Sequence, residues 1–263
     1  MSKILYGFLF LSLLNSCSSP QALVKRYKPS MVSIGLTYMP KPSSFDSAAT
    51  ANYVSGGFMQ GIQTSEGGTN PEDDLINLGQ LSFSRGHRYK NINYAYGADV
   101  FAGSYQNKSV ENDDPNYFKS KSVQGYELKS SVNVFQTYRT FDLRLLGIDL
   151  AYSKEYGDYA KFRQQTPTTE NVFVIPATGL FSAAINTEVI FRAPLGRMIR
   201  YGFRLSLKQT FGALNYNGIF NQYNNNKSVS GTTGSIAGYF EMKKYFFIVE
   251  AGDGGRLNIG YKF

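Results

Sequence analysis

Between Ala177 and Gly212 the chain alternates apolar and polar residues through two long runs joined by Pro194-Leu195-Gly196-Arg197. In the second run Ile199, Tyr201, Phe203, Leu205, Leu207 and Phe211 alternate with Arg200, Gly202, Arg204, Ser206, Lys208 and Thr210. A period of two puts successive side chains on opposite sides of an extended strand, so each run predicts a strand with one greasy and one polar face. Soluble strands average about 5 to 6 residues and a tilted membrane-crossing strand needs about 9 to 11. Both runs are longer than either, and the pattern predicts the hairpin of a transmembrane β-barrel, apolar outside and charged inside.

The same alternation returns along most of the chain. Strands are predicted over Met31–Met39, Tyr53–Gln63, Leu75–Arg85, Asn91–Tyr105, Val123–Tyr138, Phe141–Ser153, Gly234–Met242, Tyr245–Ala251 and Arg256–Phe263. Within Phe141–Ser153 the doublet Leu145-Leu146 breaks the phase and points to a bulge. Long polar stretches (Thr64–Asp74, Gln106–Ser122, Lys154–Pro176, Leu214–Gly231) alternate with short connections at Gly86–Lys90, Arg139-Thr140, Lys243-Lys244 and Gly252–Gly255. Long loops at one end and tight turns at the other are the asymmetry of outer-membrane barrels. Counting back from Phe263 gives ten strands to Tyr53, with Met31–Met39 as an eleventh; a barrel with both ends on one side needs an even number. The fold expected is therefore all-β, an antiparallel transmembrane barrel of ten or twelve strands.

Ahead of these strands, Lys3, the apolar run Ile4–Leu14 and Asn15-Ser16 have the order of a secretory signal peptide, too short to span a bilayer. Leu14-Asn15-Ser16-Cys17 resembles the lipobox of bacterial lipoproteins, which implies cleavage before Cys17 and lipid on its thiol and amine. The alternation of Leu257, Ile259, Tyr261 and Phe263 up to the terminal carboxylate resembles the assembly signal of outer-membrane proteins. Together the chain resembles small outer-membrane lipoprotein barrels of the Bacteroidota. The organisation expected is a signal peptide over 1–16, a lipidated tether over 17–30 and the barrel over 31–263. In lipoproteins of that group surface export goes with acidic residues soon after the cysteine. Ser18–Lys28 has none and carries Lys25, Arg26 and Lys28, so the resemblance implies an anchor facing inward, into the periplasmic leaflet.

Charge and composition narrow the chemistry. The mature chain would carry +7, and 20 Tyr with 20 Phe suit the boundary between lipid and water. A single Cys leaves no intramolecular disulfide. Nucleic acid is not an expected partner, because signal and barrel take the chain out of the cytoplasm. His87 is the one histidine, so a histidine-based catalytic set must use it; no serine and acidic partner can be placed beside it, and it reads as a solvated turn residue. One His and one lipidated Cys leave a transition metal without ligands, and no cofactor motif is present. The acids Glu72-Asp73-Asp74 read as solvated loop carboxylates.

Setting Arg192 opposite Arg200 across the tight turn brings Glu188 to face Arg204 and Ala184 to face Lys208. Glu188 and Arg204 then form a charge pair that plugs a narrow lumen; the sharper alternative is an anion-preferring pore lined by Arg200, Arg204 and Lys208. Basic residues also gather at the short turns, as a collar for anionic headgroups or a partner. In the long loops Tyr156, Tyr159 and Phe162, and Tyr216, Phe220 and Tyr223 among many Asn, suit contact with an outer-membrane protein partner. The expected function is a non-enzymatic accessory or structural subunit of an envelope complex, with outer-membrane lipids around it. The rivals are a small pore or transporter and a lipid-modifying enzyme using His87.

Overall fold

The structure, a computed structural model, describes residues 25–32, 38–64, 73–108, 117–169, 172–193, 199–211, 232–252 and 254–263. The expected signal peptide, Cys17, the Pro194–Arg197 turn and the loop bearing Tyr216, Phe220 and Tyr223 lie outside these residues. In chain order the strands are β1 (Lys25–Tyr27), β2 (Thr50–Thr64), β3 (Asp73–Tyr89), β4 (Ile92–Gln106), β5 (Ser120–Thr137), β6 (Phe141–Tyr156), β7 (Val172–Val174), β8 (Gly179–Arg192), β9 (Ile199–Phe211), β10 (Thr232–Met242), β11 (Tyr245–Ala251) and β12 (Gly254–Lys262). Among the described residues one α-helix, α1 (Asp158–Gln165), lies in the connection from β6 to β8.

All strands but β1 and β7 form one closed antiparallel barrel of ten, sealed where β12 pairs with β2 from Lys262↔Tyr53 to Gly254↔Gly61. The barrel follows from the alternation already seen in the sequence. Along β9, for example, Tyr201, Phe203 and Leu205 face out while Arg200, Arg204 and Lys208 are buried inside. Mid-height, the outer wall carries Leu81, Val100, Leu128, Ile148, Ile185, Leu207, Val249 and Ile259, all exposed. Aromatic rings flank that band, with Tyr89, Tyr96, Tyr201 and Tyr245 at one end and Phe58, Tyr152, Tyr156 and Phe211 at the other. A continuous apolar belt is not stable against water at this size; bordered by aromatic girdles, it is the surface of a membrane-spanning barrel. The hairpin register is the one expected, with Arg192↔Arg200, Glu188↔Arg204 and Ala184↔Lys208. The pairing of β6 shifts register beside Leu145-Leu146, and both leucines face out.

Three expectations need correction. Met31–Met39 is not a barrel strand where it is described: Ser30–Val32 is a turn of 3-10 helix, and Tyr38 and Met39 belong to no strand. Gly86–Tyr89 is the end of β3 rather than a turn, and the chain reverses at Lys90, whose φ of 51° supplies the left-handed residue that a tight hairpin needs. Lys154–Pro176 contains the end of β6, α1 and β7.

Ahead of β2, the described residues 27–31 and 38–46 lie inside the barrel. The strand directions put Thr50 and Phe263 at the short-turn rim, where Asn52 and Phe263 exchange backbone hydrogen bonds. Residues 25–32 sit at the opposite, long-loop end, where β1 pairs in parallel with β7. Residues 38–46 fill the short-turn half. The described end of the expected tether, residues 25–30, thus lies at the long-loop end of the barrel, and residues 38–46 lie at the other end of the lumen.

Candidate functional site

The short-turn half of the lumen is a network of buried charges (Arg144, Glu188, Arg204, Asp149) that grips residues 38–46. Arg144 of β6 is fully buried and donates through Nη1 to Glu188 at 2.7 Å and through Nη2 to the carbonyls of Lys41 and Pro42 at 3.1 and 3.4 Å. Glu188 also accepts from the Tyr38 hydroxyl. Arg204 donates to Asp149 and lies 5.3 Å from the centre of the Tyr38 ring, a cation over an aromatic face. Lys41 Nζ donates to Ser131 Oγ at 2.6 Å, and the Ser44 amide donates to Asp142 at 2.7 Å. The bulge at Leu145-Leu146 sets these partners: it shifts the phase of β6, so that Arg144 and Asp149, five positions apart, both point inward.

At the rim three basic residues of the short-turn end, Arg88, Arg200 and Lys262, turn inward. Arg200 donates to Asp46 at 2.8 Å and to Glu241 at 3.1 Å, while Lys262 reaches Glu241 at 2.8 Å and also Asp46. Arg88 donates to the carbonyls of Ser43 and Asp46. Asp46 lies outside the membrane-spanning strands. Burial by itself would raise its carboxyl, but Arg200 and Lys262 outweigh that and hold it below the ordinary carboxylate range. Gly86 of β3 faces this segment, and a Cβ there would come within 2.8 Å of the Pro42 ring and 3.2 Å of the Lys41 backbone.

The long-loop half is apolar. Tyr27 is fully buried, its ring centre 5.0 Å from Phe162 edge to face and 6.0 and 6.2 Å from Phe118 and Tyr105. Tyr159 stacks on Tyr105 at 4.0 Å and donates to the Lys28 carbonyl. Met59, Ile76, Leu78, Phe101 and Val123 of the wall close the cluster around Tyr27 and Met31. Polar groups here reach both backbone and side chains. Asn107 donates to the Tyr27 hydroxyl at 3.1 Å, Glu155 accepts from the Ser30 amide at 3.2 Å, and Lys208 donates to the Met31 carbonyl at 3.4 Å. Arg163 of α1, fully buried, donates to Glu155 at 3.0 Å and to the Ala177 carbonyl at 2.9 Å.

The expected site residues are redistributed. Glu188 and Arg204 face each other in register, yet each ion pair runs to β6, to Arg144 and Asp149. Arg200 and Lys208 are committed to the inserted segment. Of the loop aromatics, Tyr159 is fully buried and Phe162 half-buried against the same cluster, so Tyr159 does not present a contact surface; Tyr156 is exposed on the outer wall. His87 is not in a turn. It sits near the short-turn end of β3 on the outer face, stacked on Tyr94 at 4.6 Å and Tyr96 at 5.9 Å, with Thr50 Oγ1 3.0 Å from Nδ1. Sequence reading missed Tyr27, Tyr38, Lys41, Arg144, Asp149, Glu155 and Arg163; the signal available for Arg144 and Asp149 was a charge on the inward phase of an otherwise apolar strand.

No protein-family model matches the chain, and no curated protein sequence matches it. Among solved structures it is similar to an outer membrane channel from Pseudomonas putida, at 8% identity and a TM-score of 0.43, covering 85% of this chain and 99% of that one. It is also similar to the outer membrane protein OprG from Pseudomonas aeruginosa, at 9% identity and a TM-score of 0.40, covering 82% and 96%. The β domain of the Bordetella autotransporter BrkA has 9% identity and a TM-score of 0.42, covering 82% and 99%. No residue role passes from any of them to this chain.

Proposed function

We propose that this protein is a self-plugged outer-membrane barrel that works as a non-enzymatic accessory subunit, offering its long-loop face to a partner, and that it does not conduct. One observation carries the reading: both halves of the lumen are occupied by the chain's own residues 27–31 and 38–46, held by the buried charged side chains Arg144, Glu188 and Arg200 at one end and an aromatic cluster at the other. A barrel near eight strands has little room beyond its own side chains, and here that room also holds a backbone. The cations that a pore would use, Arg200 and Arg204, are neutralised by Asp46, Glu241 and Asp149. The position of His87 supports the non-enzymatic reading, since its described neighbours are two tyrosine rings and a threonine hydroxyl on the lipid-facing side.

Planar-bilayer recording of the purified full chain tests the plug. The expected result is a silent membrane, and steady single-channel currents overturn the reading in favour of a pore. Mild-detergent co-purification tests the accessory role, with removal of residues 222–228 as the loop variant. The expected result is loss of the co-purifying protein while heat-modifiable migration on gels persists; retention of every partner removes that loop from the interface.

A further inference from the structure

The direction in which the amino-terminal segment runs through the barrel has a consequence for the cell surface. Its two described ends are at opposite rims. At the short-turn rim Ala49 and Thr50 lead into β2, and the Ala49 carbonyl accepts from the Arg88 amide at 2.7 Å. At the long-loop rim Arg26 pairs with Phe173 of β7, the Tyr27 carbonyl accepts from the Ile175 amide at 3.0 Å, and Asn107, just past the end of β4, holds the Tyr27 hydroxyl. Read towards the amino terminus, the chain therefore enters at the short turns and leaves among the long loops.

We infer that the protein displays its own amino terminus on the outside of the cell, with the acyl chains of Cys17 anchored in the outer leaflet. The inference rests on the reading that the barrel sits in the outer membrane with its long loops outward and, for the acyl chains, on the lipidation of Cys17 that the lipobox resemblance implies. Reach decides the leaflet. Lys25 follows Cys17 by eight residues, and eight residues fully extended span at most about 29 Å. A hydrocarbon core is about 30 Å thick, so a cysteine tethered at the long-loop rim cannot set its lipid in the opposite leaflet. The route back is closed as well, since the wall outside is lipid-facing and the lumen is filled. Placement of the outer-rim segment outweighs the absence of acidic residues after Cys17: an export signal read by a receptor is not needed for a segment that the barrel itself carries across. Chemically, the long-loop face would then present an acylated peptide on the side of the barrel that carries α1 and β7.

Three epitope insertions in the full chain test this: after Pro20, after Thr168 in the β6–β8 connection, and between Lys243 and Lys244. The expected result on intact cells is antibody labelling at the first two positions, with the third labelled only after permeabilisation. Protection of the Pro20 epitope while Thr168 labels overturns the inference and leaves the barrel orientation standing. The reverse, labelling at Lys243 with protection at Thr168, overturns the orientation on which it depends. A second measurement is independent of labelling. In a Cys17→Ser background, Arg26→Cys with Phe173→Cys should form a disulfide on oxidation, seen as a mobility shift reversed by reductant; a folded, heat-modifiable barrel that stays uncrosslinked overturns the threading.

Discussion

The two halves of the lumen are filled in different ways. Toward the long loops, Tyr27 and Met31 rest in rings and aliphatic chains, contacts that are non-directional and that tolerate rearrangement. Toward the short turns, residues 38–46 are held by Arg144, Glu188, Arg204, Asp149 and Arg200, each buried charge requiring a partner in place. The apolar half contributes burial. The charged half fixes position, because a shift of one residue would separate the Asp46 ion pairs and the hydrogen bonds that Glu188, Asp142 and Arg144 make to the segment, in a region of low dielectric.

That contrast can be broken most sharply at Arg144. Arg144→Met leaves Glu188 buried without its ion pair and frees the Lys41 and Pro42 carbonyls, and the expected loss is about 3 to 5 kcal/mol in urea unfolding from lipid vesicles. The double variant with Glu188→Met should recover most of it. Equal losses in the single and double variants would mean that the pair adds nothing beyond packing. In the other half Tyr27→Ala should cost about 3 kcal/mol, near the lower end for a buried aromatic ring, and the loss should be local. Tryptic cutting within Lys25–Lys28 should rise while barrel migration stays heat-modifiable; a barrel that unfolds with it would show the two halves to be one cooperative unit.

A smaller effect is expected at Gly86→Val. Its side chain would press on Pro42 and Lys41, an overpacking of about 1 to 3 kcal/mol, read as lowered thermal stability with the outer girdles unchanged. Tolerance of valine would show that the inserted segment can yield. The smallest change is expected from acid. Because Asp46 is held below its ordinary value, the rim contacts to Arg200 and Lys262 should be fully present above about pH 4 and weaken as pH falls through the folded value. Asp46→Asn should flatten that part of the stability profile, and an unaltered profile would remove Asp46 from the rim latch.

The wall was legible in the sequence, and its contents were not. Lipid outside and polar groups inside force a period of two, so β9 could be read with its faces assigned, and a short turn fixed the register of β8 against β9. Leu145-Leu146 signalled the bulge in β6 because two adjacent apolar residues cannot both face lipid on a regular strand. One hairpin's register, however, says nothing of the strand on its other side, and this is why Glu188 was matched with Arg204 when Arg144 lies across the neighbouring ladder. The alternation of Met31–Met39 was misleading for a related reason: apolar residues report burial, and Met31, Tyr38 and Met39 find it in the interior of the barrel rather than in its wall. Tyr159 carries no mark in the sequence that separates a ring packed under a loop from one displayed on it.

The seal between β12 and β2 also constrains how the molecule comes to be. Lys262 and Asp46 stand 216 residues apart and meet beside that seam, while Lys208 and Met31 are 177 apart. Contacts of such separation form late, after most loop-closure entropy has been spent. The strand that closes the ring also clasps the segment within it, because Lys262 of β12 reaches both Asp46 and Glu241. The inserted chain is in this sense a mandrel: the seam and the segment inside it share side chains, so that each steadies the other.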